Sequence, residues 1–433
     1  MSFYQKYVMV LLTGFTGIIS LNILAEPISV KPVDDPNYQY KDNQYCGACH
    51  QEKFKEYSQS MMGKTPHDKV FQQFYFATNA KGEYDGFGYK GFHPDDPGDC
   101  ANCHTPDKVL DAGHEVDLQA AIDDGSKGIS CDYCHTVSDV KIIKDEKTGR
   151  YQTDITRTVT RTRGDTKFGP LSDAKSPVHK TMLSPIHKKS EFCAMCHLNQ
   201  EHLLSLSTYA DWKKSYDAGR VSKQCQECHM PTGGRDRPIA VGGKVRDAST
   251  IHQHLFHGGH DAAMVQKAAK LDITARHDGD TLIVDADVTN VGAGHPIPGG
   301  ATLRNMLLVI EARDSQGHLL THGGDKKEQL PPLAGKGKGA GNYAGQAGKM
   351  FARPFATRTG MVPAGGFNAD HILFDTRIWP GDTDHSVYHF NTDKSGPVDI
   401  KAKLIYRWTY KPLADKKGWQ QTDIVMASQQ LKI

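Results

Sequence analysis

Ten cysteines fall into five pairs with one spacing, and this pattern constrains the fold more than any other feature of the chain. Each pair reads CxxC, and a histidine follows every pair directly. Two cysteines three positions apart can form thioethers to the two vinyl groups of one haem, and the adjacent histidine then reaches the iron. The sequence therefore predicts five covalently bound c-type haems. The predicted attachment sites are Cys46, Cys49, Cys100, Cys103, Cys131, Cys134, Cys193, Cys196, Cys225 and Cys228, and the predicted proximal ligands are His50, His104, His135, His197 and His229.

Two other chemistries use paired cysteines. Secreted CxxC pairs can be disulfides, and CxxC with histidine can hold zinc. Neither requires a histidine directly after all five pairs, so haem attachment is the preferred interpretation. The motif starts are 54, 31, 62 and 32 residues apart. The two short intervals predict a lone first haem followed by two compact pairs, the second with the third and the fourth with the fifth.

An apolar segment precedes the motifs. Lys6 is followed by an apolar run from Tyr7 to Leu24, then by Ala25 and a polar stretch. This pattern is typical of a secretory signal peptide cleaved after Ala25, with a retained anchor as the alternative. We expect no membrane span in the mature chain. The net charge of +2 favours neither nucleic acid nor an acidic surface as partner.

The composition changes after the last motif. Residues 26–265 hold every motif and read as a loop-rich, mainly helical domain, with helices at Gln51–Gln59 and Ser207–Ala218 and a β-like arm at Thr153–Thr162. Residues 266–433 have no cysteine and carry strand-like runs between turns, which predicts an antiparallel β-sandwich-like domain. The glycine-rich stretch 335–349 is interpreted as a surface loop. The predicted fold class is α+β with these two domains.

A second axial ligand decides what each haem can do. Histidine or methionine there makes an electron carrier, whereas an open position permits substrate binding. Seventeen histidines lie outside the motifs. His295 is flanked by glycine and proline, and His254, His257 and His260 share one segment beyond the last motif. The candidate distal ligands are Met62, His114, His179, His187, His254, His257 and His295.

Several segments resemble the cytochrome c554-like multihaem cytochromes, particularly larger bacterial members with a C-terminal β domain. They are GISCDYCHTV (128–137), SEFCAMCH (190–197), STYADWKKSY (207–216), CQECHMP (225–231), HLFHGG (254–259) and VGAGHPIPGG (291–300). The resemblance implies electron transfer in the periplasm or at the cell surface and supports His254 and His295 as distal ligands. Relatives often have a histidine where this chain has Met62, which implies a His/Met-ligated or a reactive first haem. Pentahaem nitrite reductases typically carry one CxxCK motif. All five motifs here end in histidine, which weakens the interpretation of this chain as a nitrite reductase.

The leading functional hypothesis is an electron carrier that exchanges electrons with unidentified redox proteins. A haem-dependent oxidoreductase acting on a small nitrogen or sulfur compound is the first alternative, with the first haem as its candidate site. A homo-oligomeric or filament-forming conductor is the second.

Overall fold

The computed structural model describes residues 34–198, except 153–154 and 156–157, and residues 207–433, except 393–395 and 421–422. The predicted signal peptide, residues 1–25, lies outside the described residues. No helix within the described part of the chain is both long enough and apolar enough to cross a membrane.

Most helices are short and lie in the region of the motifs. The α-helices are α1 (Asn43–Gly47), α2 (Gln51–Gln59), α3 (Lys69–Tyr75), α4 (Tyr89–Phe92), α5 (Ala101–His104), α6 (Pro106–Ala112), α7 (Leu118–Asp123), α8 (Cys131–His135), α9 (Glu191–His197), α10 (Thr208–Asp217), α11 (Cys225–His229), α12 (Ala262–Gln266) and α13 (Lys411–Lys417). The predicted helices at Gln51–Gln59 and Ser207–Ala218 correspond to α2 and α10.

Strands in the motif region are short, and the long strands follow it. The strands are β1 (Val137–Val140), β2 (Ile143–Lys144), β3 (Tyr151–Gln152), β4 (Val159–Arg161), β5 (Thr166–Gly169), β6 (Lys180–Leu183), β7 (Arg237–Pro238), β8 (Val245–Arg246), β9 (Ala269–Asp278), β10 (Thr281–Asn290), β11 (Asn305–Arg313), β12 (Gly348–Ala352), β13 (Phe355–Ala356), β14 (His371–Ile372), β15 (Thr383–Asn391), β16 (Asp399–Arg407) and β17 (Ile424–Lys432). In the predicted arm Thr153–Thr162, the described part contains β4, which pairs antiparallel with β1.

Two antiparallel sheets make up the C-terminal region. One has the strand order β15–β10–β9 and the other β12–β11–β16–β17. Alternate side chains of β10, such as Val284 and Ala286, and of β11, such as Leu308 and Ile310, enter the same buried cluster. This alternation is what a strand with one face on a core requires. The mixed helical and β-rich architecture was predicted, while the sandwich arrangement stays a prediction.

Two strands of these two sheets were absent from the predicted set. Thr383–Asn391 forms β15 beside β10. The stretch 335–349 was interpreted wholly as a surface loop, and this is wrong at its end, because Gly348 and Lys349 begin β12. Gly348 has a φ of 156° and its backbone lies against Leu308, so a glycine can pair here where a Cβ would meet the neighbouring strand.

The C-terminal sheets are fastened to the motif region by buried polar contacts. The Lys417 side chain at the end of α13 is fully buried and donates to Asp85 at 2.9 Å and to the Thr78 carbonyl oxygen at 2.9 Å. The Trp419 indole donates to Gln73 at 2.6 Å. These contacts hold the sheets against the segment that leads into the second motif.

Candidate haem-binding site

Each CxxCH motif overlaps a short helix. Residues at i, i+3 and i+4 lie on one face of a helix, so both cysteines and the histidine of a motif can point the same way. The third motif is all of α8, and Ser130 caps it by accepting the Tyr133 N–H at 2.9 Å. The fifth motif is all of α11, which has a capping box between Gln224 and Glu227. None of the ten cysteines, all of which lie in the described part of the chain, forms a disulfide.

Four of the five proximal histidines have a hydrogen-bond partner at Nδ1. His50, His135 and His229 donate this nitrogen's proton to the carbonyl oxygens of Ile239, Phe168 and His257, at 3.2, 2.7 and 2.5 Å. In the second motif, His104 Nδ1 is 2.7 Å from the Thr65 hydroxyl. Such a bond on one nitrogen fixes the ring and leaves Nε2 as the nitrogen available to an iron.

Burial lowers the pKa of four of the five proximal histidines, which favours the neutral imidazole. It lowers the pKa of His104 to about 3 and the pKa of His197 to about 4, and nearby histidines lower both further. The pKa values of His50 and His135 are also lowered, with burial as the largest cause. A neutral imidazole has the lone pair that metal ligation needs.

Two histidines outside the motifs face motif histidines. The His50 and His179 rings have centres 6.3 Å apart, and the His135 and His254 rings 6.4 Å apart. Imidazoles bound to opposite sides of one iron, through bonds of about 2 Å each, have ring centres roughly 6 Å apart. His179 and His254 also direct Nδ1 to carbonyl oxygens, at 3.1 and 3.3 Å. Both pairs therefore fit bis-histidine ligation.

His295 lies close to the fourth and fifth motifs. His295 is half-buried, and the His197 ring interacts electrostatically with both His229 and His295. Asn290 fixes the loop by donating its side-chain amide to the His295 carbonyl oxygen at 3.0 Å. The loop that follows β10 thus places the His295 imidazole beside the last two motifs.

The other candidates lie in different surroundings. His187 is 5.5 Å from His135, but its Nε2 donates to the Val137 carbonyl oxygen at 3.0 Å. The His257 side chain pairs with Asp261. His114 is exposed and hydrogen-bonds to its neighbour's carbonyl oxygen.

Met62 packs into an apolar cluster with Tyr40, Ile129 and Tyr133. The side chain that lies opposite the His50 ring is that of His179.

The sequence gave no sign that the Phe71 ring would stack on the His104 ring, with ring centres 3.4 Å apart.

The motifs adjoin one another in an order that differs from the prediction. The first motif is not alone, because Asn43 beside it accepts the Cys131 N–H of the third motif at 2.8 Å. The second motif was predicted to form a unit with the third. It also adjoins the fourth, because Cys103 Sγ lies 3.9 Å from the Cys196 carbonyl oxygen. The predicted neighbourhood of the fourth and fifth motifs is present, since Ser190 accepts the Cys225 N–H at 3.0 Å.

A cavity of about 2830 Å³ is bounded by residues of the first, third, fourth and fifth motifs. This volume exceeds the roughly 300–1,000 Å³ of a pocket for one ligand. Its lining includes Met62, His179, His187, His254, His257 and His295, but not His114. Eleven lysines and arginines line it against five acidic residues, which suits contents that carry carboxylates such as haem propionates.

Five CxxCH motifs, imidazoles with available Nε2 atoms and a large shared cavity are together the features of a multihaem c-type cytochrome. Residues 45–136, which hold the first three motifs, match the family described as Cytochrome c554 and c-prime. The resemblance inferred from the motifs is thereby confirmed, and the chain is a multihaem c-type cytochrome related to that family.

A solved structure has a similar fold. It is a penta-heme cytochrome c552 from Thermochromatium tepidum, 20% identical, with a TM-score of 0.64 over 91% of this chain and 99% of that one. No curated protein matches the chain.

Proposed function

We propose that the protein carries electrons through five c-type haems, one at each motif. The observation that carries this proposal is the pair of facing imidazoles, His50 with His179 and His135 with His254, at 6.3 and 6.4 Å. Haem iron held between two histidines has no open position for a substrate and exchanges electrons instead. We assign His179 to the first haem, His254 to the third, and His295 to one of the last two.

Contacts between motifs support a relay. The first motif adjoins the third, the second adjoins the fourth, and the fourth adjoins the fifth. Cys134 of the third motif also interacts electrostatically with Cys196 of the fourth. Every motif thus has a neighbour within reach, which is what stepwise electron transfer requires.

The domain boundaries and the location of the protein are also part of the proposal. We infer two domains, a haem domain at 26–265 and a β-sandwich at 266–433, because the two C-terminal sheets share one buried core. The signal-like residues 1–25 support a periplasmic location or export to the cell surface, with redox proteins as donor and acceptor.

Haem quantification and electron paramagnetic resonance of the oxidised protein test this function. We expect five haems per chain, and low-spin signals from the first and third haems. A high-spin signal that responds to cyanide, together with turnover of a small substrate, would support the oxidoreductase alternative instead.

A further inference from the structure

One corner of the cavity is formed by basic and hydroxyl side chains that the haem motifs do not account for. Lys64 and His260 come from the motif region, and Arg304 and Tyr406 come from the C-terminal sheets; all four line the cavity. Lys64 follows the two methionines after α2, and Arg304 directly precedes β11. The corner therefore lies where the two regions of the chain meet.

The corner is held in shape by Trp408. Arg304 Nη1 donates to the Trp408 carbonyl oxygen at 2.5 Å, and the His260 ring lies 6.3 Å from the Trp408 ring. Beside His260, a Cβ on Gly259 would overlap the Tyr406 hydroxyl. Because Gly259 has no side chain, the Tyr406 hydroxyl can approach the backbone beside His260. The Tyr406 hydroxyl, the His260 imidazole and the Arg304 guanidinium therefore line the same corner of the cavity.

The electrostatic balance of the corner is positive. Arg304 and Lys64 both act on the His260 ring, whose pKa is lowered chiefly by burial and further by these two cations. Asp68, whose carboxylate also accepts the Phe71 N–H at 2.8 Å, acts in the opposite sense, so two cations and one anion act on this ring. The guanidinium of Arg304 hydrogen-bonds to a carbonyl oxygen rather than to a carboxylate.

We propose that Lys64, Arg304, His260 and Tyr406 bind an anionic oxygen group. Arginine and lysine form their strongest hydrogen bonds with such groups, and Arg304, which is partly buried, is costly without a counter-charge. The group is either a propionate of a bound haem or a free oxyanion that enters the cavity. The inference rests on the proposed function, because bound haem supplies the propionate.

The test compares three variants of the haem-loaded protein. Arg304→Gln and Lys64→Gln each remove one cation from the corner, and Arg313→Gln removes the same charge from the exposed far end of β11. Calorimetry with nitrite and with sulfate measures free oxyanion binding. Spectroelectrochemical titration measures the reduced fraction of the haems at a fixed potential. Arg304→Lys keeps the charge if Arg304→Gln fails to fold.

Each source of the anionic group gives its own result. For a free oxyanion, wild type and Arg313→Gln bind nitrite or sulfate, and Arg304→Gln weakens binding about tenfold. If the group is a propionate, neither nitrite nor sulfate binds. In both corner variants, the equilibrium constant for reduction of one haem falls about tenfold, which lowers its reduction potential by about 59 mV for one electron. The potential falls because a nearby cation favours the reduced form.

The proposal is overturned if both corner variants match Arg313→Gln in calorimetry and titration. The proposed function would survive that outcome, since haem content and low-spin signals are measured separately. Loss of those signals from wild type would refute the function instead.

Discussion

The Glu56 carboxylate accepts the backbone N–H of His254 at 2.8 Å, joining the helix after the first motif to the segment that faces the third motif's histidine. The same carboxylate forms ion pairs with Lys53 at 2.8 Å and with Arg237 at 3.3 Å. Lys53 also donates to the His252 carbonyl oxygen at 2.7 Å. The side chains of this cluster are 11–12% exposed, so a buried ion-pair network fixes the backbone around His254.

Replacement of Glu56 by alanine should disturb His254 ligation. The variant leaves Lys53 and Arg237 buried without their anion, at a cost of about 3–5 kcal/mol in the free energy of unfolding. We expect a lower thermal midpoint and an altered low-spin signal from one haem. Glu56→Gln retains an acceptor for the His254 N–H and should preserve the signal better. Glu52→Ala, on the exposed face of the same helix, is the matched control, and an equal effect there would contradict the assigned role.

Removal of His179 or of His254 should open one haem each. Without its distal imidazole, a low-spin iron becomes high-spin and accessible to small ligands. We expect His179→Ala and His254→Ala each to convert about one haem per chain to a high-spin form that binds carbon monoxide when reduced. The count comes from paramagnetic resonance and from carbon monoxide difference spectra.

Two further variants discriminate between the candidate ligands. His114→Ala should leave the spectra unchanged, because His114 is exposed and does not line the cavity. Met62→Ala should also leave the first haem low-spin, since Met62 packs against Tyr133 and its neighbours. A new high-spin haem in Met62→Ala, with none in His179→Ala, would return the first haem to histidine–methionine ligation.

The motifs were predictable because their chemistry is local. Five residues define each CxxCH, so the helical face that carries Cys131, Cys134 and His135 is set within one turn. The long strands were predictable for a similar reason, since β10 and β11 alternate or concentrate apolar residues over nine or ten positions. Strand β15 was missed because His385, His389 and Asp384 give it little apolar signal, and its pairing with β10 supplies the stability.

The pairing of distal ligands depends on distant parts of the chain. His50 meets His179 after 129 residues, and His135 meets His254 after 119, so no local pattern links them. The contact of the first motif with the third was missed for the same reason. Interval length measures how far two motifs can separate, but packing of Asn43 on α8 decides which motifs adjoin.

Lys417 should be essential for attachment of the C-terminal sheets. Its side chain is fully buried and neutralises Asp85, which is 10% exposed. Lys417→Ala leaves that carboxylate buried without a cation, at a cost of about 3–5 kcal/mol. We expect a lower thermal midpoint and faster proteolysis between the two regions. Lys416→Ala removes the adjacent, exposed lysine and should behave like wild type; equal loss in both variants would contradict the importance of the buried pair.

Glu328 bridges two histidines of the C-terminal region. Its carboxylate lies 3.0 Å from His322 Nε2 and 3.0 Å from His389 Nδ1, and it also accepts the His389 backbone N–H at 3.0 Å. Burial alone would raise the pKa of Glu328, but the hydrogen bonds from His389 and His322 outweigh it, and the pKa is lowered. The ionised form is therefore the one that the fold stabilises.

The contribution of Glu328 should depend on pH with a defined sign. Because its pKa is lower in the folded than in the unfolded chain, its stabilisation is present above the unfolded value of about 4.3 and disappears as the pH falls through the folded value. Glu328→Gln should thus cost roughly 1–3 kcal/mol at pH 7 and progressively less in acid. Denaturant unfolding at pH 7 and pH 3.5 measures this difference. Glu311→Gln, which removes an ion pair whose side chains are each 38% exposed, should cost little at either pH. A Glu328→Gln penalty that grows in acid would show that the carboxyl group is protonated in the fold.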